Sequence, residues 1–169
     1  MNRFLWVVRG DTRRLKLAAL CQMTLPHPPI VYYGTEVGLS QRRDLQYPDG
    51  SRRMEESRTP MPWDDEQDAE LLAFYRRLIA LRRAHGSLWR SRRVTLAAGD
   101  GGLLVWRIAE GAQQALVVFN RGTEVGEYVL PDWTTMLDLA TEPLVQIADG
   151  RLRLPPMAGA LMLGGAPAG

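Results

Sequence analysis

The stretch Pro28-Pro29-Ile30-Val31-Tyr32-Tyr33-Gly34-Thr35-Glu36-Val37-Gly38 decides how the rest of the chain is read. The prolines stop what precedes them, four β-favouring residues follow without a polar break, and Gly34 ends the run. An apolar run without alternation predicts a strand buried on both faces, as in parallel sheets and barrels. Thr35 and Glu36 then fall just beyond the strand's C-terminal end, where a barrel keeps its chemistry.

Working outward, Asp11 or Thr12 caps a predicted helix from about Thr12 to Thr24. Its apolar residues cover most of the circumference, so the helix should be largely buried, and Pro26 ends it. Downstream, residues 39–63 form a long loop rich in charge that closes on Thr59-Pro60-Met61-Pro62-Trp63. A loop of this length in a compact fold is more often functional or disordered than idle. Asp64, Asp65 and Glu66 open a predicted helix to about His85, the acids suiting the positive end of its dipole. Leu71, Leu72, Tyr75, Leu78, Ile79 and Arg82 follow helical spacing, and Gly86 is a stop.

From Leu88 the texture changes to short β-rich runs at a spacing of about ten residues, separated by Gly-rich turns, which describes an antiparallel sandwich. The expected boundary lies near Trp89, dividing the chain into residues 1–87 and 88–169. Gly164 to Gly169 reads as a loose tail.

The 169 residues could form one ample core or two small ones. A net charge of +2 and a pI of 9.0 come from arginines mixed among carboxylates, which reads as an ion-paired surface and not a nucleic-acid interface. The one cysteine, Cys21, permits no internal disulfide. No apolar run approaches the ~20 residues of a membrane span, so no membrane partner and a cytoplasmic location are expected. No metal-ligand spacing occurs, and no cofactor is called for: His27 reads as a loop residue and His85 as a helix C-terminal cation.

One strand followed by one helix is not a domain. Each large apolar side chain left uncovered forfeits ~1.5–3 kcal/mol, and several would rival the ~5–15 kcal/mol stability of a whole domain. The first 85 residues are therefore expected to find partners in a longer protein or another chain, and self-association is expected.

Asn2-Arg3-Phe4-Leu5-Trp6, Leu15-Lys16-Leu17-Ala18-Ala19-Leu20, the 29–38 block and Arg58-Thr59-Pro60-Met61-Pro62-Trp63 resemble the C-terminal third of α-amylase-family glycoside hydrolases. The nearest likeness is to the neopullulanase, cyclomaltodextrinase and maltogenic amylase group. The resemblance implies an α+β chain. Residues 1–24 resemble the seventh helix of a (β/α)8 barrel with its lead-in, 28–38 strand eight, 64–85 helix eight, and 88–163 an antiparallel C-terminal β domain. The family cleaves α-glucosidic bonds with retention, and such chemistry needs two carboxyls ~5–5.5 Å apart. By the resemblance, all three of the family's catalytic acids would precede residue 1, so no catalytic residue is expected here. The substrate of the intact enzyme would be an α-glucan or malto-oligosaccharide.

The same likeness names the substrate-binding candidates as Asn2, Arg3, Glu36 and Arg58. Asn2 and Arg3 are either cleft rim or frayed terminus, and Glu36 is either a cleft acid or an ion-pair partner. Arg58 resembles an arginine beside the sugar, or else forms a salt bridge within the loop. Some relatives carry an acid four residues before that arginine, where this chain has Met54. Trp63 reads as the core anchor of a helix start, with sugar stacking as the alternative. Two other classes of function stay open: a carbohydrate-binding module using Trp106, Tyr128 and Trp133, and a structural or association role.

Overall fold

The computed structural model describes residues 2–134 and 136–165. Asp11 accepts a hydrogen bond from the Arg13 backbone N–H and starts α2 (Thr12–Thr24), after a single helical turn, α1 (Phe4–Val7). α3 (Ala69–Ala84) begins later than the three acids predict. Asp68 is its N-cap, accepting from the Leu71 N–H at 2.9 Å, while Asp64–Glu66 form a separate 3₁₀ turn. The break has a backbone cause: Asp64 lies at φ +53° and Gln67 is extended, so neither continues a helix into Asp68.

Beyond a 3₁₀ turn at Leu88–Arg90 come β1 (Arg93–Ala98), β2 (Leu103–Glu110), β3 (Gln113–Asn120), β4 (Gly126–Val129), β5 (Leu139–Ala140), β6 (Gln146–Ala148), β7 (Arg151–Leu154) and β8 (Ala158–Gly164). They make a five-stranded antiparallel sheet, β1-β2-β3-β8-β5, and a three-stranded one, β4-β7-β6. Between β4 and β6 only Leu139–Ala140 pairs among the described residues; Thr134, ahead of it, turns back to hydrogen-bond Pro131 O through both its N–H and its hydroxyl. Of the expected tail, Gly164 closes β8 and residues 166–169 lie outside the described residues.

The two faces of the large sheet go to different partners. Leu116, Val118, Ala160 and Met162 pack with Leu152 and Leu154 of the small sheet. Ala115, Val117, Phe119 and Leu161 pack instead with Leu15, Leu20, Leu71 and Leu78 of the helices. That double burial explains why β3 reads Ala-Leu-Val-Val-Phe with no polar alternation. α2 lies so close to β8 that a Cβ on Gly159 would stand 2.8 Å from Leu20 Cδ2 and 2.9 Å from Leu17 Cδ1. Helix, large sheet and small sheet are thus three layers, and the core under the helices is shared by residues from both halves of the chain.

The 28–34 segment, expected to be a buried strand, is not strand and pairs with no other strand among the described residues. Its burial differs from expectation: Ile30 is 83% exposed, and Tyr32 and Tyr33 are exposed as well. Only Val31 packs on the helix-side core. A ladder needs an edge on each side, and here there is none to offer one. Gly34, at φ +78° with Leu39 pressed against it, then turns the chain into the Thr35–Val37 3₁₀ turn.

Candidate functional site

Arg3 holds the site together. It is 3% exposed; Nε donates to Ser57 O at 2.9 Å and Nη1 to Tyr33 O at 2.8 Å. Its guanidinium carbon lies 4.7 Å from the ring centroids of both Tyr32 and Tyr33, a cation–π arrangement on two rings set edge to face. Arg3 therefore ties the end of the unpaired segment to the loop carrying Arg58. Its Nη2 is buried with no hydrogen-bond partner among the described residues.

The Arg3 backbone N–H donates to Gln41 Oε1 at 2.7 Å, and Gln41 Nε2 donates to Asn2 Oδ1 and Arg43 O, each at 2.7 Å. Asn2 Oδ1 also accepts the Leu45 N–H at 3.2 Å, and Asn2 Nδ2 donates to Asp44 at 3.4 Å. Asn2 and Arg3 are thus bonded into the fold and not frayed. Gln41, buried at 6% exposure, is the hub that sequence reasoning missed; nothing at positions 38–44 marks it, because Arg3 and Asn2, the partners that make it a hub, lie 38 and 39 residues away.

Asn2, Arg3 and Arg58 meet along a groove of about 1010 Å³ whose floor is Leu15, Ala18, Ala19 and Gln22 of α2, with Ile30, Val31 and Tyr32 on one wall. Arg58 is exposed, and its N–H donates to Glu55 O at 2.8 Å. Glu36 is not among the lining residues. It sits half-buried in the 3₁₀ turn, with Oε2 buried and unpartnered among the described residues. Its charge bears on Tyr75, whose phenol is pushed up to about 12, first by burial and then by the Glu36 carboxylate. No carboxylate lines the groove among the described residues. Nor do those residues include a group of three or more His, Cys, Asp or Glu placed to hold a metal ion, or a helix long and apolar enough to cross a membrane.

The charged loop is folded. Gln46 and Arg52 bridge across a turn at residues 47–51, and Arg53 lies over the Tyr47 ring at 3.4 Å. Trp63 departs from expectation: it is 67% exposed and anchors no core, because the helix it was to start begins six residues later at Ala69. The β-domain aromatics are used in packing. Trp106 meets Phe119 edge to face at 4.9 Å, Trp133 closes on Gly164, and Tyr128 and Trp133 pack on the inter-sheet core.

An isomaltulose synthase of Erwinia rhapontici NX5, solved in complex with D-glucose, superposes with a TM-score of 0.74 over 98% of this chain and 41% of its own, at 19% identity, a likeness of fold alone. The sequence is more specific. It is 45% identical over 91 residues to alpha-amylase 2 of Dictyoglomus thermophilum, covering 53% of this chain and 16% of that protein. It is also 33% identical over 159 residues to neopullulanase 2 of Thermoactinomyces vulgaris, covering 90% of this chain and 26% of the relative. No protein-family model matches. The chain is therefore similar, in sequence and in fold, to the C-terminal part of α-amylase-family glycoside hydrolases, and it spans only about a sixth to a quarter of the length of these two relatives.

Proposed function

We propose that the chain is the C-terminal portion of a retaining glycoside hydrolase that hydrolyses or transfers α-1,4 or α-1,6 glucosidic bonds in the intact enzyme, and that it is inactive alone. One observation carries the reading: the groove bearing Asn2, Arg3 and Arg58 is lined by no carboxylate among the described residues, whereas retention needs two carboxyls about 5–5.5 Å apart. In this reading residues 1–87 are the end of the catalytic barrel and 88–169 its β domain. Arg58 and Asn2 face substrate, Arg3 fixes the loop that presents Arg58, and Glu36 shapes the turn behind them. An α-glucan or malto-oligosaccharide is the substrate of the whole enzyme, and the isolated chain self-associates through the groove. A cytoplasmic location accompanies this reading; the single cysteine leaves no internal disulfide.

Incubation with maltotriose, pullulan and cyclodextrin is expected to give no product above blank; turnover would overturn the claim of inactivity. The DNA upstream of the first codon should encode an in-frame Asn-His-Asp. A stop codon directly before residue 1 would remove the severed-enzyme reading. The alternative, a carbohydrate-binding module, would use Trp106, Tyr128 and Trp133, each of them half-buried against the β-domain core; calorimetric titration with maltoheptaose showing no heat would remove it.

A further inference from the structure

A second cleft, of about 690 Å³, adjoins the groove, sharing Asn2 and Val7 with it, and lies between residues 2–10 and the start of the charged loop. Its size falls within the ~300–1,000 Å³ of small-molecule sites. Trp6 forms the aromatic wall, Asp44 and Arg9 bring one charge of each sign, and Ser40 adds a hydroxyl. The Asp44 side of the cleft is held in place: its carboxylate accepts the Gln46 N–H at 3.0 Å and Asn2 Nδ2 at 3.4 Å. Behind them, buried Gln41 joins the two segments.

The balance of groups selects the ligand. One carboxylate against one guanidinium disfavours a net anion or cation, because either would meet a like charge. An amphipathic aromatic ring suits a flat, apolar C–H face. A carboxylate, a guanidinium and a hydroxyl supply acceptors and donors for neutral hydroxyl groups around that face. A pyranose carries both features.

We propose that the cleft walled by Trp6, Asp44 and Arg9, three residues that do not line the Arg3–Arg58 groove, is a binding subsite for a neutral pyranose of a glucan chain. The choice of an α-glucan as the chain rests on the proposed function; the sugar site itself does not. The experiment titrates the 169-residue protein with maltoheptaose and with cellopentaose, following the Trp6 indole N–H by NMR and affinity by calorimetry. Maltoheptaose should shift the Trp6 resonance saturably. Trp6→Ala should weaken binding on the order of tenfold or more, with an unchanged thermal transition showing that the variant is folded. Trp6→Phe, which keeps a ring, should retain most of the affinity. Unaltered binding by Trp6→Ala, or no binding of either oligosaccharide by the parent protein, would overturn the site. Trp6-dependent binding of cellopentaose alone would uphold the site and overturn the α-glucan assignment. Maltoheptaose binding that depends on Trp6 would stand even if the chain proved catalytically active.

Discussion

Tyr75 shows what one buried residue does to stability. It is 2% exposed on α3, and burial together with Glu36 raises its phenol to about 12. The folded state therefore favours the neutral form, and the unfolded state, titrating near 10, does not. The stabilisation from this mismatch is fully present below pH 10 and is lost as pH rises toward 12. Tyr75→Phe should escape a loss of up to about 2–3 kcal/mol across that window, measured by denaturant unfolding at stepped alkaline pH. Glu36→Gln should bring the late phenolate absorbance step down in pH; an unmoved step would show that burial acts alone. None of this was legible along the chain, where Tyr75 reads only as one member of an apolar stripe and Glu36 as a cleft acid or ion-pair partner. The same holds for Asn2 and Arg3: their types suggested a rim or a loose end, and only folding brings Gln41, Tyr33 and Ser57 onto them.

At the level of elements, the C-terminal end of α2 joins the two halves of the chain. A helix leaves its last carbonyls without intrahelical partners, and here two arginines from other elements take them. Arg82 of α3 donates to Met23 O, to Leu25 O at 2.9 Å and to His27 O at 3.0 Å. Arg93, opening β1, donates to Thr24 O and to Trp89 O at 2.9 Å. Arg82→Met should cost about 2–3 kcal/mol, since hydrogen bonds to charged groups contribute about 1.5–3 kcal/mol each and the carbonyls are left partly exposed to water. Chemical denaturation of Arg82→Met, Arg93→Met and the double variant tests this; a strictly additive cycle would show that the two arginines do not share the helix end. Elements were legible where local chemistry and tertiary packing agree. α2 runs from Thr12 to Thr24 as expected, because its Asp11 cap and the proline beyond it act within a few residues. The start of α3 was not, because three acids in a row look like a cap, whereas the backbone turns at Asp64 and restarts at Asp68. The 28–34 segment was read as a buried strand from its residue types, but strand pairing is a property of neighbours.

At the scale of the whole molecule, four exposed apolar residues of the unpaired segment and α1 line the groove. Ile30 is 83% exposed and Val7 60%, with Phe4 and Tyr32 at 41% and 46%. The β domain also exposes apolar side chains, Leu144 at 72% and Met136 at 67% among them, although its two main faces are closed by the small sheet and the helices. Around the groove the exposed residues adjoin an apolar floor, and an apolar patch rimmed by polar groups is where chains associate. Ile30 is the best probe of the proposed association. Its side chain is largely in solvent, and its carbonyl accepts Gln22 Nε2 at 2.9 Å, a backbone bond that a substitution leaves in place. Ile30→Asp should leave the thermal transition at high dilution within about 0.5 kcal/mol of the parent. It should also shift the sedimentation profile from oligomer toward monomer, through the cost of burying an unpaired carboxylate at the interface. A parent protein that sediments as a single monomeric species across the concentration range would dismiss the association. Oligomers unaffected by Ile30→Asp would move it to a surface other than the groove.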